Sequence, residues 1–138
     1  METKFNSQIC TTKEQSRRLL ELGLKKETAD MCYKYFGRDS LGRRLRYNEP
    51  STGVPDVNDI PAWSLHRLWE LLPKSIWHDN GLEKKYHPII EYDFVNYVTI
   101  DGMELFDLNY QKDVWESMLD CIEWLIKEGY FNKEYLKD

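Results

Sequence analysis

Apolar residues recur at helical spacing in four stretches of this chain and alternate in one. The clearest stretch runs from Asp113 to Glu128. There Val114, Met118, Cys121, Ile122, Leu125 and Ile126 cluster within an arc of about 160° at 100° per residue, and Gly129 follows as a stop signal. This pattern predicts a long, docked C-terminal helix. Near the other end, Thr11-Thr12-Lys13-Glu14-Gln15 holds two overlapping capping boxes, since either threonine can cap while Glu14 or Gln15 reaches back to the backbone. The helix that starts there turns Ser16, Leu19, Leu20 and Gly23 inward and leaves Arg17, Arg18 and Glu21 in solvent. Ala29, Cys32, Tyr33 and Phe36 fall at i, i+3, i+4 and i+7, with Gly37 after them, and predict a second short helix that completes an N-terminal helical hairpin.

From Arg38 to Pro61 the periodicity disappears among Gly42, Pro50, Gly53, Pro55 and Asn58, so a long irregular connection is expected over about 38–61. Order returns at Ser64, a helix cap with Trp63 poised to staple onto Leu68; this helix runs to about Leu72 and Pro73 stops it. Leu65, Leu68, Trp69 and Leu72 share its inner face, while His66, Arg67 and Glu70 point away. Alternation over Tyr86–Tyr92 then predicts a strand, and Pro88 favours an edge position for it. A second strand at Tyr97-Val98-Thr99-Ile100 leads through Asp101-Gly102 into Met103-Glu104-Leu105-Phe106. A two-residue turn there pairs Ile100 with Met103 and Val98 with Leu105 on the core face. The elements add up to an α+β domain over residues 1–138: a helical hairpin, a short central helix, a small antiparallel sheet of two or three strands, and a long C-terminal helix covering the sheet.

A domain of 138 residues with 41% hydrophobic content and a net charge of −5 lies far from the composition of disordered chains and can fold without disulfides or a metal. No apolar run approaches the roughly 18 residues of a membrane span, and Met1-Glu2-Thr3-Lys4-Phe5-Asn6 lacks a signal-peptide pattern, so a cytoplasmic setting away from membranes is expected. Cys10, Cys32 and Cys121 lie far apart with no Cys-x-x-Cys pair, which predicts reduced, buried thiols. Charge divides unevenly: residues 1–46 hold eleven Lys/Arg against six Asp/Glu, a net of +5, and residues 47–138 hold eight against eighteen, a net of −10. Such a split reads either as a surface for an acidic or nucleic-acid partner, or as two halves that attract each other within one fold.

No catalytic or cofactor signature is present. His66, His78 and His87 show no ligand-pair spacing, there is no Gly-rich phosphate loop or nucleophile elbow, and Glu91, Asp93, Asp101, Glu104 and Asp107 follow no carboxylate-pair spacing. A non-enzymatic protein without cofactor or metal is expected. On the last helix Asp113, Glu116, Asp120 and Glu123 form an acidic stripe, with Trp124 about 80° outside the apolar arc. Either Trp124 lies under the tail of Tyr130, Phe131, Tyr135 and Leu136, or it is a contact whose acidic rim selects a basic partner or a second copy of the chain. The leading expectation is a small protein-interaction module, a homodimer included, with Asp113, Glu116, Asp120, Glu123 and Trp124 as its surface. An alternative is a nucleic-acid-associated accessory protein that sets Arg38, Arg43, Arg44 and Arg46 on phosphates. A third reading takes the stripe as an acidic inhibitor that mimics DNA.

Three stretches carry a resemblance. Thr12-Lys13-Glu14-Gln15-Ser16 with Leu19-Leu20-Glu21-Leu22-Gly23 and Thr28-Ala29-Asp30-Met31, then Ile60-Pro61-Ala62-Trp63-Ser64-Leu65 with Leu71-Leu72-Pro73, then Ile122-Glu123-Trp124-Leu125-Ile126 with Gly129-Tyr130, resemble a group of small uncharacterised proteins of gut Bacteroidetes genomes. That group often lies in prophage or mobile-element regions. The resemblance covers about half the chain. It implies a cytoplasmic setting and a phage-related or accessory role, and brings no catalytic residue.

Overall fold

Side-chain caps fix where the helices begin. In this computed structural model, which describes residues 8–35, 43–47, 59–79, 83–91, 94–106 and 113–138, helix α1 spans Lys13–Glu21. Of its two overlapping boxes, the Thr12–Gln15 one forms: Thr12 Oγ1 accepts from Gln15 N at 3.1 Å, and Gln15 Oε1 accepts from Thr12 N at 3.0 Å. Thr11 turns inward instead, its hydroxyl 2.8 Å from Ser16 Oγ. Helix α2 (Leu65–Leu71) is capped by Ser64, whose Oγ accepts from Arg67 N at 3.1 Å. Asp113 caps helix α3 (Val114–Lys127) in the same way, at 2.8 Å from Glu116 N, and Gly129, with φ 79°, follows it.

The N-terminal hairpin is not helical in its second half. Residues Met31–Tyr35 form strand β1, which pairs antiparallel with β2 (Arg43–Tyr47) on one side and β3 (Ile60–Ala62) on the other. Two turns of uncapped helix offer little intrinsic stability, whereas two neighbouring strands satisfy both edges of a segment that carries two tyrosines. The same pairing places regular strand inside the 38–61 stretch that read as irregular, because Arg43-Arg44-Leu45-Arg46-Tyr47 takes its order from β1 rather than from local periodicity.

The second sheet has the order β4-β5-β6, built from β4 (Ile76–Asp79), β5 (Glu83–Glu91) and β6 (Phe94–Val98). His78 therefore stands on a strand and not in a turn. β5 is central in the order, yet β4 pairs with Glu83–Tyr86 and β6 with His87–Glu91. Pro88 thus has a strand on one side only, so the edge character expected of it holds locally.

The Asp101-Gly102 turn departs from the expected register. Thr99 N donates to Met103 O at 3.0 Å, Gly102 N to Thr99 O at 3.0 Å, and Val98 bridges to Glu104 rather than facing Leu105. Three residues, Ile100 to Gly102, form the loop, with Gly102 at φ 90° as the left-handed residue of a bulged turn. The Thr99 hydroxyl bonds both the Asp101 carboxylate and Met103 N and holds this geometry. Both sides of β6 are buried, Tyr97 fully and Val98 as well, while Ile100 stands 98% exposed at the tip of the loop.

The main core gathers Leu19, Trp63, Leu68, Leu71, Tyr86, Val95, Tyr97, Met118, Leu119, Ile122 and Leu125 from α1, α2, α3 and the second sheet. A smaller cluster of Cys10, Met31 and Ala62 lies under the first sheet with Tyr33 against it. α3 is fastened to β6 where Ser117 Oγ accepts from Val95 N at 2.8 Å. All three cysteines are buried and stand outside any disulfide. Burial, with the Asp120 carboxylate adding to it, pushes the Cys121 thiol from 9.0 up to about 12. Burial first, then Cys121, raises the Tyr97 phenol as well. A raised acid contributes stability that is complete below its ordinary value and is lost as pH climbs through the folded one. The urea midpoint should therefore fall progressively between pH 9.0 and about 12, and a thiol-specific reagent at neutral pH should label Cys121 only after unfolding.

Candidate functional site

The acidic stripe of α3 faces α1. Arg18, expected in solvent, lies half-buried in the seam between the two helices. Its guanidinium reaches Asp120 Oδ1 at 2.7 Å, Glu123 Oε2 at 2.8 Å and Glu116 Oε2 at 3.4 Å. Gln15 Nε2 adds a hydrogen bond to Glu116 Oε1 at 2.9 Å. One planar cation thus bridges three carboxylates spaced along α3, a task that suits the forked donors of arginine. Desolvation opposes the charge on Arg18, but the bonds to Asp120 and Glu123 outweigh it and the guanidinium is held further in its cationic form. Asp113 is the helix cap and stands apart from this network.

Trp124 sits on the other flank of α3 within an aromatic cluster. Its indole stacks on Tyr130 at 5.6 Å between centroids with planes 26° apart, and meets Phe106 edge-on at 5.1 Å and His78 at 5.3 Å. His78 Nδ1 lies 2.8 Å from the Tyr130 hydroxyl. The tail after Gly129 thus covers one face of Trp124, and the stripe and the indole belong to two different seams.

Of the four arginines set on phosphates, Arg38 lies outside the described residues. Arg43, Arg44 and Arg46 fall on one strand, β2, whose register sets Tyr35 opposite Arg43, Lys34 opposite Arg44 and Cys32 opposite Arg46. His66 and His87, assigned separately to a helix and a strand, line one open groove with Trp69, Glu70 and Lys74. Among the described residues no group of three or more His, Cys, Asp or Glu is placed to hold a metal ion, and Asp93 and Asp107 lie outside them.

A residue that the sequence reading passed over is Trp77. It stands on β4, at the edge of the sheet, 57% exposed, with the exposed Lys85 directly across from it on β5. The Asn80-Gly81 pair between Ile76-Trp77-His78 and Lys84-Lys85-Tyr86 is the hairpin signal that could have found this strand. No family model matches the chain, no curated protein matches it in sequence, and no solved structure matches it.

Removing the cation from the α1–α3 seam leaves three carboxylates facing one another. Arg18→Met should lower unfolding stability by about 1–3 kcal/mol, and added salt should shrink that loss by screening the repulsion. Arg17→Met, on the exposed side of the same helix, should change stability by no more than about 0.5 kcal/mol. Denaturant titrations of both variants at low and high salt check the pair.

Proposed function

We propose that this chain is a small non-enzymatic protein-interaction module that docks its partner along the β4 edge, with Trp77 as the anchor. The observation that carries this reading is a tryptophan more than half exposed on an edge strand. Natural edge strands are guarded by charged residues, proline or bulges against unwanted pairing, and in β4 that guard is confined to Asp79 at its end, with Ile76-Trp77-His78 carrying neither lysine nor proline. Such an edge supplies main-chain hydrogen bonds to an added strand, while an exposed indole beside Lys85 supplies the side-chain contact. The partner is a second copy of the chain or another protein with an extended segment. This reading keeps the interaction role and moves its contact from the α3 stripe to β4, since Glu116, Asp120 and Glu123 are engaged by Arg18 and Trp124 by its aromatic neighbours.

A second reading rests on the register of the β1–β2 ribbon. It sets Lys34 opposite Arg44 beside Arg43 and Arg46, a density of cations along β1 and β2 of the kind that contacts phosphates, and binding through them would weaken steeply with salt.

The first reading is tested with Trp77→Lys. Sedimentation velocity should show association of the wild-type chain that the variant lacks, or capture from lysate should recover a nuclease-resistant protein with the wild type and not with the variant. Circular dichroism and thermal midpoint should be unchanged, because the side chain lies outside the core. Equal association and equal recovery by both chains would overturn the β4 contact. Recovery that vanishes with nuclease and survives Trp77→Lys would favour the arginine ribbon.

A further inference from the structure

One more place in the fold brings polar side chains together over an apolar surface. Because β4 stops pairing with β5 at Tyr86, no strand among the described residues pairs with the edge of β5 opposite β6 at His87 and Pro88. Pro88 has no N–H to leave unpaired there. With α2 and the 72–74 turn, this edge lines an open groove of about 570 Å³, within the range of about 300–1,000 Å³ typical of small-molecule sites. Trp69, half-buried against the core, and Pro88 give it apolar surface, while the exposed His66 and Lys74 stand at its rim. Glu70 is the acid among the described residues of the lining, and its carboxylate lies 3.6 Å from His66 Nε2, a helical i,i+4 pair. With Glu70 turned to His66, the ammonium of Lys74 and the imidazole of His87 are left to meet a ligand, and the groove carries more cationic and donor groups than acids.

We propose that this groove binds a small planar acid, its aromatic or heteroaromatic ring seated against Trp69 and Pro88 and its carboxylate or phosphate held by Lys74 and His87. The ring finds the apolar walls, and the acid group finds donors on the side where the groove opens to water. A basic ligand would meet Lys74 and find Glu70, the one carboxylate among the described residues of the lining, already drawn to a histidine. The inference stands independently of the β4 contact.

The test is an NMR titration of the full chain with four probes: phenyl phosphate, benzoate, phenol and inorganic phosphate. Its readouts are the imidazole resonances of His66 and His87 and the indole N–H of Trp69. At least one of the two ring acids should give saturable shifts of all three, with phenol and inorganic phosphate at least about tenfold weaker. The tighter of the two acids identifies the headgroup. Lys74→Glu, a change at an exposed position, should weaken binding by about tenfold or more, and Glu70→Gln, which removes the competing charge, should strengthen it. Shifts that grow linearly without saturating, phenol binding as tightly as the acids, or affinity unchanged in Lys74→Glu and reduced in Glu70→Gln would each overturn the proposal.

Discussion

The buried indole of Trp63 is the constraint around which the N-terminal half is arranged. A tryptophan with no solvent exposure needs an acceptor for its ring N–H, and Thr28 Oγ1 provides it at 2.9 Å. The backbone of the same residue exchanges bonds with Thr11, whose N–H donates to Trp63 O at 2.9 Å and whose Oγ1 accepts from Trp63 N at 3.1 Å. The next residue, Ser64, caps α2 and also bonds the Asp30 carboxylate through its N–H at 2.8 Å and its hydroxyl at 2.5 Å. Arg67 closes the set with Nε to Thr28 O at 2.7 Å. A single junction between β3 and α2 thereby fixes the start of α1, the turn before β1 and the N-terminus of the central helix.

What could be read from the chain was what its neighbours in sequence decide. The Thr12–Gln15 box, the Ser64 and Asp113 caps and the amphipathic run of α3 are local signals, and each helix starts where they place it. The strands that escaped the reading, β1, β2, β3 and β4, are three to five residues long and owe their form to partners elsewhere. The helical spacing of Ala29, Cys32, Tyr33 and Phe36 fits two turns on paper. A strand flanked on both sides gives Cys32 and Tyr33 hydrogen bonds that no isolated turn of helix matches. At Asp101-Gly102 the turn chemistry was legible, but its length was not, and one residue of slip changed which residues face one another across it.

The charge split had the same character. A basic first third and an acidic remainder raised the choice between an external partner and internal attraction, and part of the answer lies in Arg18, whose three acidic contacts all come from α3. The helical wheel of α1 alone put Arg18 on the solvent side because no wheel contains the helix opposite. Trp77 and the groove beside β5 stayed hidden for a similar reason: each depends on where β4 begins and ends, which is a property of the sheet rather than of the four residues in it.

The seam between α1 and α3 joins residues roughly a hundred positions apart, and Leu24 further bridges to Leu136, with Lys25 N on Tyr135 O at 2.9 Å and Lys137 N on Gly23 O at 2.8 Å. Docking α3 against α1 therefore closes a loop of about a hundred residues, a step slowed by the entropy of bringing distant segments together. Until that loop closes, the apolar side of α1 and the indole of Trp63 have no α3 over them, so the meeting of these two helices sets the pace at which the core seals.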